Sequence, residues 1–307
     1  MDLICGGMYR SCSTWQYEVA TVLLRRFARG GVEPLGYLTG AEYAQREAAT
    51  NNSAEGWRVL KSHEESPSLA RVLRTGRARA LYSFRDVREV VFSMLHKRRE
   101  TFETFLHAGR LHQILVNDRF WRNQPGVLIQ RYDDLTARPA EGVDQIGRFL
   151  GLEGVTPEVC RAVAQEFSKE ANLERTRQLR ERLKARGVDL DDPANALVWD
   201  QETLLHWNHV RESAPTWQDL ATPAQRRILG ELCGDWLIEH GFETDDRWVL
   251  ADSPRRAPHA DTDPKPWRLD PVERAAVRRG LRANWALRTT LRYPATVATL
   301  KRWLGRT

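Results

Sequence analysis

"LICGGMYRSCSTWQYEVATVLLRRF", residues 3–27, decides the fold. Its apolar opening, Leu3-Ile4-Cys5, breaks at Gly6-Gly7. Small hydroxyl residues then surround Arg10, and Tyr17, Ala20, Leu23, Leu24 and Phe27 follow at helical spacing up to Gly30-Gly31. Strand, tight turn, helix is the reading that this pattern predicts. Such a turn directs the unpaired N–H groups of the first helical turn, and the positive end of the helix dipole, at one spot. That spot attracts an anion. Arg10 adds a planar fork of donors, and Ser11, Ser13 and Thr14 add hydroxyls suited to phosphate or sulfate oxygens. The triphosphate loop G-x-x-x-x-G-K-[ST] is absent, which weakens the alternative of a nucleotide-dependent, kinase-like P-loop transferase.

Working outward, residues 57–61 (WRVLK), 78–84 (ARALYSF) and 126–132 (GVLIQRY) read as further strands. Helical spacing follows the second of these through Val90, Val91, Met94 and Leu95, and the third through Val143, Ile146, Phe149 and Leu150. Alternation of this kind predicts an α/β fold, a three-layer α/β/α sandwich on a central parallel sheet. In such sheets ligands bind at the carboxyl ends of the strands. Those ends here carry Lys61-Ser62-His63 and Arg85-Asp86, with Ser93 early in the next helix. Residues 156–186 read as one long polar helix, with Pro157 in its first turn and Gly187 as its cap, and Thr222-Pro223 starts another that closes at Gly241.

The chain has 307 residues, a formal charge of +6, 11 Trp and four Cys. No stretch approaches the roughly 20 apolar residues of a membrane span, and the start lacks a signal-peptide pattern, so a cytoplasmic protein is expected. Cys5, Cys12, Cys160 and Cys233 form no metal-ligand spacing, and His206-x-x-His209 lacks acidic or thiol companions, so no metal is expected. Nine Lys/Arg against Glu273 put +8 on residues 271–307, leaving −2 on the rest. The high pI therefore says nothing of nucleic-acid binding by the main body. The division expected is a domain over 1–250, a Pro- and Asp-rich linker over 251–270, and a basic helical tail over 271–307. That C-terminal extension suits a peripheral membrane contact or a homodimer contact.

These residues resemble the sulfotransferases that use 3'-phosphoadenosine-5'-phosphosulfate (PAPS) and release 3'-phosphoadenosine-5'-phosphate (PAP). The family's phosphosulfate loop, T-Y-P-K-S-G-T-T-W, is similar to Met8-Tyr9-Arg10-Ser11-Cys12-Ser13-Thr14-Trp15. Its K-T-H resembles Lys61-Ser62-His63, and its R-D-P-R-D with a later Ser resembles Arg85-Asp86-Val87-Arg88-Glu89 with Ser93. Its Y-E-D-L is similar to Tyr132-Asp133-Asp134-Leu135. The resemblance implies a P-loop-like phosphosulfate loop and sulfuryl transfer to a hydroxyl or amine of a small molecule, glycolipid or carbohydrate. It implies His63 as general base, with Arg10 and Lys61 on the sulfuryl oxygens. It further implies Arg10 to Thr14 around the 5'-phosphosulfate, Arg85 and Ser93 on the 3'-phosphate, and Trp15 and Tyr132 beside the adenine. Arg211 stands in a loose counterpart of the family's Gly-rich closing segment. Cys12 occupies the place of the loop Gly, where the family backbone calls for a positive φ. Trp57, Phe102, Phe105, Phe120, Trp121 and the 199–217 region are candidates for an acceptor cleft.

Overall fold

A computed structural model describes residues 1–49, 56–192, 195, 198–208, 210 and 215–249. Arg211, His209, the linker and the basic tail lie outside the described residues. The described residues divide into two compact units, one drawn from 1–85 and 117–210, the other from 86–116 and 215–249.

The first unit holds five strands: β1 (Asp2–Cys5), β2 (Gly31–Tyr37), β3 (Gly56–Lys61), β4 (Ala78–Phe84) and β5 (Val127–Arg131). They form one sheet in the order β2-β3-β1-β4-β5, and every pairing is parallel. Its helices are α1 (Ser13–Phe27), α2 (Gly40–Ala49) and α3 (Pro67–Arg74), then, after α4 (Val87–Arg98), α5 (Phe102–His107) and α6 (Arg110–Arg122), α7 (Tyr132–Ala137), α8 (Pro139–Leu150), α9 (Pro157–Glu166) and α10 (Lys169–Ala185). β1 sits in the middle and is buried along its whole length. Its Asp2 enters the core only because Arg58 donates to both carboxylate oxygens, at 2.7 and 2.8 Å, and Tyr43 Oη adds a third bond at 2.6 Å. One face of α1 packs through Val19, Ala20, Leu23 and Leu24 into a core shared with Val143 and Ile146 of α8 and Val163 of α9.

Two elements differ from the sequence reading. β2 was not anticipated: as an edge strand with no fully buried residue it lacks apolar alternation, and Pro34, at a register shift, gives the ladder no donor. The polar stretch 156–186 is two helices, because Ser168 caps a new start by accepting from the Ala171 N–H at 3.2 Å. Gly187 does take the expected positive φ, 76°.

The second unit contains α4 (Val87–Arg98), α5 (Phe102–His107), most of α6 (Arg110–Arg122), α11 (Trp217–Leu220) and α12 (Pro223–Glu239). Thr222 and Gln225 close the start of α12 as a reciprocal capping box. Its buried Arg88 guanidinium is satisfied by Asp86 at 2.7 Å and Glu243 at 2.5 Å, between the rings of Trp217 and Trp248. Among the described residues no helix is long and apolar enough to cross a membrane.

Candidate functional site

The strand order reverses about β1, and the loop that leaves β1 is strapped to the end of β4. Gly6 N–H donates to the Leu81 carbonyl and Met8 N–H to the Ser83 carbonyl, each at 2.8 Å. The glycine pair is a steric requirement. A Cβ on Gly6 would lie 2.9 Å from the Trp121 ring, and one on Gly7 2.6 Å from Ser13 Cβ and 2.9 Å from Ser83 Oγ. Gly7 also holds φ 152°. Farther along, two side-chain-bearing residues take left-handed conformations, Arg10 at φ 64° and Cys12 at φ 76°. Cys12 thus keeps the glycine-like backbone at the N-cap of α1, where its carbonyl accepts from Gln16 N–H at 3.0 Å. Strain of this kind collects at ligand clamps. Burial pushes the Cys12 thiol up to about 12, with Arg85 and Arg10 pulling the other way, so it is a neutral packing group.

Ser11 differs from expectation. Its buried hydroxyl lies 2.5 Å from the Met8 carbonyl and 2.8 Å from that of Ser83, so it holds the loop rather than facing outward. Trp15 differs too: its indole is packed in the core with Leu135 and Val143, where a Cβ on Gly142 of α8 would lie 3.2 Å from it.

The neighbouring strand ends converge on this loop. Lys61, last residue of β3, is buried and donates from Nζ to Thr14 Oγ1 at 2.7 Å. Burial pushes its ammonium down to about 8, and Arg10 adds to the effect. Two residues on, His63 Nδ1 lies 2.8 Å from the Gly7 carbonyl. A carbonyl only accepts, so Nδ1 carries the proton and Nε2 is the basic nitrogen of the ring. Tyr9 and Tyr37 pack about the imidazole, with ring centroids at 4.6 and 5.8 Å, and Trp121 Nε1 donates to the His63 carbonyl at 3.1 Å. On the β4 side, Arg85 stacks on the Tyr132 ring, 4.2 Å from its centroid, and donates to the Arg10 carbonyl at 3.4 Å. Burial holds the Tyr132 hydroxyl above the usual phenol range.

The structure therefore brings Arg10, Ser11, Cys12, Ser13, Thr14, Lys61, His63, Arg85 and Tyr132 to one edge of the first unit. Ser93 belongs to the second unit, in the second turn of α4. Of the aromatic residues expected to line a cleft, Trp121, Phe102, Phe105 and Trp217 are buried core residues. Tyr9 and Tyr37 were missed, Tyr37 because it ends the unanticipated β2. Three cations, a ring of backbone donors and an oriented imidazole equip this edge to hold a multiply charged anion and to take up a proton beside it.

The family model for the sulfotransferase domain matches residues 2–190. No curated protein matches the chain. Among solved structures, the chain is similar to mouse sulfotransferase SULT7A1 complexed with PAP, at 17% identity over 81% of this chain and 88% of that one, with a TM-score of 0.54. It is also similar to retinol dehydratase in a complex with retinol and PAP, at 16% identity over 84% and 83% of the two chains, with a TM-score of 0.53.

Proposed function

The chain belongs to the sulfotransferase-domain family, and on that footing we propose that it transfers a sulfuryl group from PAPS to the hydroxyl of a small-molecule acceptor, with His63 as general base. The observation that carries the reading is the hydrogen bond from His63 Nδ1–H to the Gly7 carbonyl, which makes Nε2 the basic nitrogen and ties the imidazole to the loop that would hold the phosphosulfate. The donor set fits that co-substrate. Arg10 and the N–H groups from Ser11 to Thr14 supply fixed positive charge for a 5'-phosphosulfate, and Arg85, spread over Tyr132, supplies a second cation for a 3'-phosphate. Ser11 contributes through its backbone, since its hydroxyl serves the loop.

In the transfer the acceptor oxygen bonds to sulfur as the bond from sulfur to the 5'-phosphate oxygen breaks. His63 Nε2 takes the proton, and the electron pair leaves with PAP. Arg10 and Lys61 stabilise charge on the sulfuryl and bridging oxygens, a task that preorganised donors perform without reorganisation. Tyr9 and Tyr37 give the acceptor a flat, apolar approach to the imidazole. Comparison with the PAP complex of mouse SULT7A1 supports the cofactor assignment, and the retinol complex accords with a small acceptor.

The test is His63→Ala, with PAP release from PAPS measured across a panel of phenols and alcohols. General-base loss should lower turnover roughly 10²- to 10⁴-fold while PAP affinity stays within about twofold. Retention of more than about a tenth of the wild-type rate rejects His63 as the base.

A further inference from the structure

Behind the loop lies a buried carboxylate that the proposed chemistry does not use. Glu18 stands one helical turn after Thr14 on α1, so both side chains share a face. It is 7% exposed, and its Oε1 accepts from Arg175 of α10 at 3.1 Å. Its Oε2 is buried with no hydrogen-bond partner among the described residues. On the same face, Thr14 Oγ1 is the one acceptor, among the described residues, of the three protons of the Lys61 ammonium. A buried ammonium short of acceptors, reaching from β3, and a buried carboxylate short of donors thus meet the same turn of α1, and each favours the other's charged form.

We propose that Glu18 is a positioning residue for Lys61: its carboxylate keeps the ammonium charged and drawn back beside Thr14, ready for the sulfuryl group. This rests on the sulfotransferase reading of the site. The geometry makes the pair self-matching. Burial pushes Glu18 up to about 7, against Arg175 and Lys61, with Glu166 and Asp200 raising it further. Lys61, pushed down to about 8 by burial and by Arg10, is supported by Glu18. Once ionised, the Glu18 carboxylate opposes loss of the Lys61 proton, which extends the pH range over which a cation faces the loop. Arg175 is fixed for its part by Asn172 Oδ1 and the Glu166 carbonyl, each at 3.3 Å, and anchors Glu18 from the far side.

The experiment is NMR titration of protein carrying ¹³C-labelled lysine. The lysines are Lys61, Lys97, Lys169, Lys184, Lys265 and Lys301, and the Lys61 signal is the one missing from Lys61→Met. In Glu18→Gln the Lys61 midpoint should fall by at least about one pH unit, the effect of an opposite charge about 12 Å away at an effective dielectric near 20. Glu18→Asp should restore most of it. An unchanged midpoint in Glu18→Gln overturns the proposal. Should that variant not fold, the reciprocal arm decides: coupling is symmetric, so Lys61→Met must raise the Glu18 carboxyl midpoint by the same amount, and an unmoved Glu18 refutes the pairing. A parallel calorimetric titration with adenosine 5'-phosphosulfate separates this claim from the functional one. Wild-type affinity should weaken as pH passes Lys61's midpoint, and do so about one unit earlier in Glu18→Gln. Failure of the wild type to bind it at any pH counts against the sulfotransferase reading, while the lysine titration still judges the pair.

Discussion

Replacing Gly7 by Ala adds one methyl group at the point where the loop meets both α1 and His63. The new Cβ would stand 2.6 Å from Ser13 Cβ and 2.9 Å from Ser83 Oγ, at a backbone φ of 152°. Holding a non-glycine residue in that region costs about 1–3 kcal/mol. Relieving the overlap adds about 1–3 kcal/mol, because Ser13 belongs to the first turn of α1 and cannot move alone. A loss of about 4 kcal/mol follows, or about 8–16 °C in Tm for a domain of this size. Function should suffer separately, since Gly7 also supplies the carbonyl that orients His63. Displacing that carbonyl and the α1 N–H groups by roughly 1 Å should lower turnover on the order of 100-fold. Thermal unfolding and PAP calorimetry, run on the same preparation, provide the assay, with at least a tenfold loss of PAP affinity expected, about 1.4 kcal/mol. A variant with Tm within about 2 °C of wild type and unchanged PAP affinity would refute the steric account of the loop.

Cys12→Gly should act in the opposite sense. Relief of about 1–2 kcal/mol of left-handed strain, less about 0.5–1 kcal/mol of glycine entropy, should leave the variant about 0.5–1 kcal/mol more stable in urea unfolding; a destabilised variant would contradict the strain at φ 76°. Glu18 predicts a pH dependence. Its folded-state pKa, pushed up to about 7 by burial, lies above the ordinary carboxyl value near 4.5, so between these the unfolded chain sheds a proton that the folded chain keeps. Raising the pH through that window therefore erodes stability, by roughly 3 kcal/mol when complete. Urea unfolding between pH 4.5 and 8 should show this slope in wild type and its absence in Glu18→Gln; parallel curves would contradict it.

The strands that carry the chemistry were legible because parallel central strands are short apolar runs closed by polar residues, and the site residues follow those runs directly. Cys5 leads into the loop, Lys61 into His63, Phe84 into Arg85, and Arg131 into Tyr132. β2 escaped because its edge position relaxes the demand for apolar alternation, and Tyr37, one wall about His63, escaped with it. Side-chain direction was the other limit. The spacing that places Ser11 and Trp15 beside the loop does not say that the hydroxyl turns back to Met8 and Ser83, or that the indole turns down onto α8. Glu18 carries no local signal at all, being one more acid on a helix until Arg175 folds over it from 157 residues away. Arg88, by contrast, follows the family-like motif yet serves the second unit, sealed between two tryptophans.

Calorimetric titration of the purified protein with PAP, and in parallel with ATP plus Mg²⁺, tests the central claim most directly. The proposed function gives Arg10 and Arg85, which meet at the loop, one phosphate each of the bisphosphate, so PAP should bind roughly 100-fold more tightly than ATP. Equal or tighter binding of ATP with Mg²⁺, or binding of neither, would contradict the account.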